Sequence, residues 1–171
     1  KLGVDTEAFT LQYGGYTKSF KEIIKEESPS VHNFKGSVDA ESLVENLDDF
    51  DIIHLHCPFL GAANKIINWK KFHPNIPLVV TYYRDVRFED LFSLFIKLYN
   101  FYFLPKIFAL SSVVMCQNFE RFNHSAGVGY MNDENKLAVI DEIELDKEVD
   151  GLAGGEAVAA KTLMVYNSLI S

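Results

Sequence analysis

Two stretches of sequence decide the fold: Asp51-Ile-Ile-His-Leu-His-Cys-Pro-Phe-Leu-Gly61 and, further along, Pro77-Leu-Val-Val-Thr-Tyr-Tyr-Arg-Asp85. Each is a short apolar run that ends in polar and ionisable side chains. Parallel strands buried in an open α/β sheet have this pattern, because both faces are covered and functional groups gather at the carboxyl ends. The two runs therefore predict strands over 51–56 and 78–82, with a cleft at their shared carboxyl edge.

The rest of the chain continues this alternation of strands and helices. Strands are expected over 4–11, 31–34, 113–116 and 136–140. Helices are expected over 17–27, 39–46, 60–72, 88–104 and 156–170, and a further helix is expected to be capped by Asn118. Short buried strands that alternate with longer helices are typical of a parallel, doubly wound sheet. We therefore predict an α/β protein: a single Rossmann-like domain with a mostly parallel doubly wound sheet flanked by helices.

Composition and charge narrow the class of protein. The chain has 171 residues, of which 48% are hydrophobic and 23% charged, so it can bury the core of one ordinary globular domain. Its net charge of −8 arises largely from the acidic segment 141–150, and no basic stripe indicates nucleic-acid binding. Cys57 and Cys116 lack the spacing of a metal site or a disulfide scaffold, which favours a cytoplasmic location.

The paired motifs resemble the acceptor-side domain of family 4 (group 1) glycosyltransferases, which have the two-Rossmann-domain GT-B architecture. In that family an Asp-apolar-apolar-His-apolar-His-Ser-Pro-like strand precedes a Leu-Val-Val-Thr-Tyr-His-Ser-Asp-like one. Tyr83 stands here where the family usually has His. The segment 137–149 resembles the exit from the family's first domain, and the helix over 157–170 resembles its crossover helix. The resemblance implies a Rossmann-like domain over 1–150 and, over 151–171, a Gly-rich connection and a helix that packs on that domain.

The resemblance implies that the chain is the acceptor-binding domain of a sugar-nucleotide-dependent, hexosyltransferase-like enzyme. The nucleotide-sugar donor would be held by a second domain, which is missing or separate, so the chain alone is expected to be inactive. The family's opening βα unit is also absent, which indicates a truncated or split domain. The acceptor is an unknown sugar or lipid, and no cofactor is expected. Two alternatives stay open: a non-catalytic Rossmann-like module that binds carbohydrate or a partner, and a small α/β enzyme that works alone.

The candidate site residues lie at the two strand ends. His54 and His56 share one face of their strand, and too few further ligands are visible for a metal site. His54 is expected to be hydrogen-bonded in the core, whereas His56 is expected to line the cleft. Asp85 could act as a general base or accept hydrogen bonds from sugar hydroxyls, but it could equally cap the next helix. The predicted catalytic residues are His56 and Asp85, and the predicted substrate-binding residues are Pro58, Phe59, Tyr83 and Arg84.

Two later segments carry weaker predictions. The aromatic-rich segment 88–103 is expected to be core, with contact to a lipid acceptor or a peripheral contact to a membrane as the alternative. A membrane-spanning helix is not expected, because charged residues and Pro105 interrupt the apolar run. The helix over 156–170 is expected to bury Leu163, Tyr166 and Ile170 against the first domain.

Overall fold

The computed structural model describes residues 4–11, 34–38, 40–59, 61–83, 91–140 and 154–170, and the chain divides into two compact units, residues 1–49 and 50–171. In the first unit, strands β1 (Ala8–Leu11) and β2 (Phe34–Val38) pair in parallel. Helix α1 (Ala40–Glu45) and a 3₁₀ turn (Leu47–Asp49) follow β2. The helix predicted over 17–27 lies outside the described residues.

Within the described part of the second unit, four parallel strands form a sheet in consecutive order. These strands are β3 (Ile53–Cys57), β4 (Leu78–Tyr82), β5 (Val113–Cys116) and β6 (Leu137–Val139). The helices are α2 (Ala63–Phe72), α3 (Leu91–Leu110), α4 (Phe119–Asn123) and α5 (Gly154–Ile170). The predicted α/β class is therefore confirmed, and a parallel sheet flanked by helices is consistent with a Rossmann-like fold.

Strand β4 shows why its sequence is apolar except at Thr81. All its side chains are buried, and alternate ones face opposite sides of the sheet. On one side the Tyr82 ring meets the Phe108 ring of α3 edge-on, with centroids 5.8 Å apart. On the other side Val79 packs with Met115, Ile140 and α5. Helices thus cover both faces, which is the environment that the continuous apolar run predicts.

Helix α3 continues past the predicted end at residue 104. Pro105 lies inside it and costs about 3 kcal/mol, because proline has no N–H to donate and its ring clashes with the preceding turn. The next turn places Ile107 and Phe108 in the core. Burying two side chains of this size contributes about 3–6 kcal/mol, which is enough to offset the cost of the proline.

The interpretation of the 88–103 segment as core is only partly right. Tyr99 and Leu104 are buried, but Leu98, Phe101 and Tyr102 are 59%, 68% and 61% exposed. The helix therefore buries one face and leaves a second apolar face open. Among the described helices, α3 included, none is both long enough and apolar enough to cross a membrane.

Helix α5 packs on the sheet face that carries Val79. The contact is made by partly buried side chains of one helix face: Val158, Val165, Tyr166 and Leu169. Spacings of seven and four residues place 158, 165 and 169 on one side of a helix. Tyr166 contacts the sheet face as expected, but the expected burial of Ile170 is wrong, since that side chain is 56% exposed. The contacting face is centred on Val165, so Ile170 lies beyond its edge.

Replacing Val165 and Leu169 together with Ala should lower the free energy of unfolding by about 2 kcal/mol, because both lose apolar contact with the sheet. Met164→Ala is the matched control on the same helix. Met164 is 72% exposed, so its truncation should change stability by less than about 0.5 kcal/mol. Urea unfolding followed by circular dichroism measures both effects. Equal losses in the two variants would contradict the packing of α5 on the sheet.

Candidate functional site at the carboxyl edge of the sheet

The site is built on the alternation of β3. Ile53, Leu55 and Cys57 are buried on one face, which leaves His54 and His56 on the other. The parallel pairing with β4 sets His56 beside Thr81. The two imidazole rings stack, with centroids 4.5 Å apart and planes inclined by 19°. The second ring of the stack lies closer to the carboxyl edge of the sheet.

His54 is the inner member of the stack and is hydrogen-bonded through both ring nitrogens. Its Nδ1 lies 2.5 Å from the Tyr166 hydroxyl of α5, and its Nε2 lies 2.7 Å from Thr81 Oγ1. Burial, and then the nearby His56, lower the pKa of His54 to about 3. The neutral ring has one donor and one acceptor nitrogen, so one hydroxyl donates to it and the other accepts from it. These contacts confirm the hydrogen-bonded role predicted for His54.

His56 is the outer member and forms a pair with Tyr83. Its Nδ1 lies 2.7 Å from the Tyr83 hydroxyl, and the two rings are nearly parallel with centroids 5.7 Å apart. The side chain reaches the surface, yet burial of the ring against its neighbours still lowers the pKa of His56. A neutral imidazole beside a phenol can offer both hydrogen-bond donors and acceptors to a ligand. This His56–Tyr83 pair is a polar feature that the ends of β3 and β4 present to solvent.

The loop after β3 is fixed by a buried tyrosine of α3. Tyr99 Oη accepts a hydrogen bond from the Phe59 N–H at 3.2 Å, and the Tyr99 hydroxyl donates to the Phe59 carbonyl at 2.9 Å. Both main-chain groups of Phe59 are therefore engaged, and Pro58 and Phe59 are half-buried beside the site. Burial raises the pKa of the adjacent Cys57 thiol to about 12, so this cysteine stays protonated and is a poor nucleophile.

A shallow hollow continues the site towards β5. It lies at the carboxyl ends of β4 and β5 and measures about 260 Å³ when the open solvent at its mouth is counted. Its lining is mostly polar or aromatic: Tyr82, Tyr83, Cys116, Gln117, Asn118, Arg121, Phe122 and Ser125. The predicted cap of α4 is confirmed here, because Asn118 Oδ1 accepts the Arg121 N–H at 2.9 Å. Since Tyr83 belongs to both the hollow and the His56–Tyr83 pair, the two form one continuous surface.

The structure brings only part of the predicted site together. His56 and Tyr83 are in contact, and Pro58 and Phe59 lie on the adjoining loop. Arg84 and Asp85 lie outside the described residues, so a cleft shared by His56 and Asp85 stays a prediction. No group of three or more His, Cys, Asp or Glu side chains that could hold a metal ion occurs within the described ranges.

Sequence reasoning missed several residues of the site. The pairing of the two predicted strands could have revealed Thr81, because this residue lies on β4 beside His56. Gln117 and Arg121 come just after a correctly predicted strand and lie where polar residues of a parallel sheet gather. Tyr166 was predicted as an apolar contact, and nothing in the periodicity of α5 indicated that its hydroxyl would reach a histidine.

Comparisons with known proteins identify no family for this chain. No protein-family model, no curated protein and no solved structure gives a significant match to the chain. The chemistry assigned to the site therefore rests on its residues and on the resemblance carried by the two strand motifs.

His54 should make folding sensitive to acid. The unfolded chain binds a proton at His54 near the ordinary pKa of 6.5, whereas the folded chain resists protonation until about pH 3. The free energy of unfolding should therefore fall as the pH falls through this window, by up to about 1.4 kcal/mol per pH unit. His54→Gln should flatten this part of the dependence, measured by urea unfolding at several pH values. An unchanged slope in His54→Gln would contradict the lowered pKa of His54.

Proposed function

We propose that the carboxyl edge of the sheet binds a carbohydrate and that the chain is the acceptor-binding domain of a sugar-nucleotide-dependent glycosyltransferase. The observation that carries the proposal is the His56–Tyr83 pair, joined at 2.7 Å beside a polar hollow. Ligands of open α/β sheets bind at this edge, and sugar hydroxyls need neighbouring donors and acceptors of the kind that this pair supplies. The resemblance of the two strand motifs supports the same class of ligand.

In the proposed reaction, an acceptor hydroxyl oxygen forms a bond to the anomeric carbon of the donor sugar. The bond from that carbon to the nucleotide diphosphate breaks, and the diphosphate leaves with the electron pair. The hydroxyl proton passes to a base, for which His56 and Asp85 are the candidates. The lowered pKa of His56 keeps its imidazole neutral and able to accept a proton near pH 7. The donor would be held by a second domain, in a longer chain or in a separate one.

A non-catalytic module that binds carbohydrate or a partner protein is the second candidate. It is favoured by the residue at position 83, because a phenol with a pKa near ~10 does not relay protons at neutral pH as imidazole does. Tyr83 also engages Nδ1 of His56 directly. Such a module would bind sugars at the same edge but would never transfer them, even with a donor-binding domain present.

Binding can be tested by titrating the ¹⁵N-labelled chain with hexoses, N-acetylhexosamines and uridine- and guanosine-diphosphate sugars. We expect amide shifts at 54–59, 82–83 and 116–121 with a free sugar, at a Kd of about 1 mM, worth ~4 kcal/mol. Tyr83→Phe removes one hydroxyl and should weaken binding at least about threefold. Tyr102→Phe removes a hydroxyl from an exposed tyrosine of α3 and should leave the Kd for the sugar unchanged.

Two results would contradict the proposal. One is shifts confined to other parts of the chain for every sugar in the panel. The other is a nucleotide-sugar Kd below about 10 μM, since ~7 kcal/mol of binding by this chain alone would make a separate donor domain unnecessary.

We further propose that the open apolar face of α3 contacts a membrane surface and brings the domain to a lipid acceptor. Leu98, Phe101 and Tyr102 are exposed at spacings of three and four residues, and they form one stripe along the helix. Lys106 lies over the Tyr102 ring at 4.0 Å from its centroid, and the exposed Lys97 adjoins the stripe. Exposed aromatic side chains with lysines beside them are typical of helices that lie on anionic bilayers.

Vesicle sedimentation tests this contact. The chain should pellet with vesicles that contain phosphatidylglycerol, and replacing Phe101 and Tyr102 with Ser should abolish most of that binding. Phe119→Ser is the matched control, because Phe119 is a half-exposed aromatic residue on α4. Failure of the wild-type chain to pellet, or equal loss in the control, would contradict the membrane contact and leave the sugar-binding proposal untouched.

A further inference from the structure

We propose that Tyr166 of α5 is a positioning residue for His56 and acts through His54, so that the carboxyl-terminal helix completes the ligand-binding edge. The inference rests on the proposed function only for its biological meaning. The proposed coupling links α5, which packs on one face of the sheet, to the His56 side chain at the edge of the sheet.

A continuous series of ring contacts joins Tyr166 to the surface. The Tyr166 hydroxyl lies 2.5 Å from His54 Nδ1, and the two rings meet edge-on with centroids 5.7 Å apart. His54 stacks on His56 at 4.5 Å, and His56 reaches the Tyr83 hydroxyl at 2.7 Å. The inner end of the series is held by the packing of α5 on the sheet, and the outer end lines the hollow.

The orientation of the His54 ring depends on both of its hydroxyl partners. Thr81 holds Nε2 from the neighbouring strand, and Tyr166 holds Nδ1 from the helix above. Without the Tyr166 hydroxyl, a part-buried ring nitrogen would lose its partner, at a cost that favours rotation of the ring or entry of water. A rotated His54 no longer offers its flat face to His56, so the position of His56 would change as well.

Several titratable groups surround the stacked rings of His54 and His56. Tyr166 faces the two stacked histidines from α5. Burial raises the pKa of Tyr166 to about 12, so it stays a neutral hydroxyl. Tyr83 contacts His56 from the end of β4, and the rings of His54 and His56 face each other on β3. Near neutral pH, loss of the Tyr166 hydroxyl therefore removes a hydrogen-bond partner and does not remove a charge.

The test is a histidine titration by nuclear magnetic resonance on the full chain. Tyr166→Phe should raise the pKa of His56 towards its ordinary value, because a loosened stack lets water reach the ring, and should shift the His56 ring resonances at fixed pH. Tyr130→Phe, at a half-buried tyrosine that takes no part in this series of ring contacts, is the matched control and should leave both unchanged. In a His54→Gln background, the further change Tyr166→Phe should have no effect on His56, because the intermediary ring is gone.

Two outcomes would overturn the inference. In the first, Tyr166→Phe lowers the melting temperature but leaves the His56 titration as in wild type, which is the behaviour of a merely structural contact. In the second, Tyr166→Phe shifts His56 equally with and without His54. Neither readout requires a sugar, so failure of the proposed function would show in the sugar titration and not here.

Discussion

The parallel register of β3 against β4 is the constraint on which the site depends. Because side chains alternate along a strand, burying Ile53, Leu55 and Cys57 forces His54 and His56 onto the opposite face. The register then sets Thr81 beside His56, and the chain leaving β4 carries Tyr83 to the same edge. A slip of one residue would exchange the two faces of β3, so the stability of the core and the placement of the site have one cause.

The polar side chains on this face need partners, and α5 supplies one of them. Val158, Val165 and Leu169 dock the helix by apolar contact, while Tyr166 engages a ring nitrogen that would otherwise be part-buried and unsatisfied. Thr81 engages the other nitrogen. A polar contact of this kind fixes the orientation of the helix more narrowly than apolar packing alone, since a hydrogen bond depends on both distance and angle. The Tyr166–His54 contact therefore joins the docked helix directly to the histidine stack of the site.

The sequence predicted those parts of the fold that depend on local pattern. β4 and β5 have their predicted bounds, and Asn118 caps α4 as expected, because buried strands and helix caps are specified by neighbouring residues. The end predicted for α3 was wrong, since burial of Ile107 and Phe108 offsets the local effect of Pro105. Tyr166 could not have been predicted as a partner of His54, because 112 residues separate them and only the packing of α5 brings them together.

We infer that the ends of β3 and β4 form one ligand-binding edge, to which His56, Tyr83 and Asp85 all contribute. A crystal structure of the full chain with a bound sugar tests it most directly. We expect the sugar to lie against the His56–Tyr83 pair and the Asp85 carboxyl group to lie on the same edge of the sheet. A structure with His56 and Asp85 on opposite edges, or separated by more than about four strand spacings of ~4.8 Å, would contradict it.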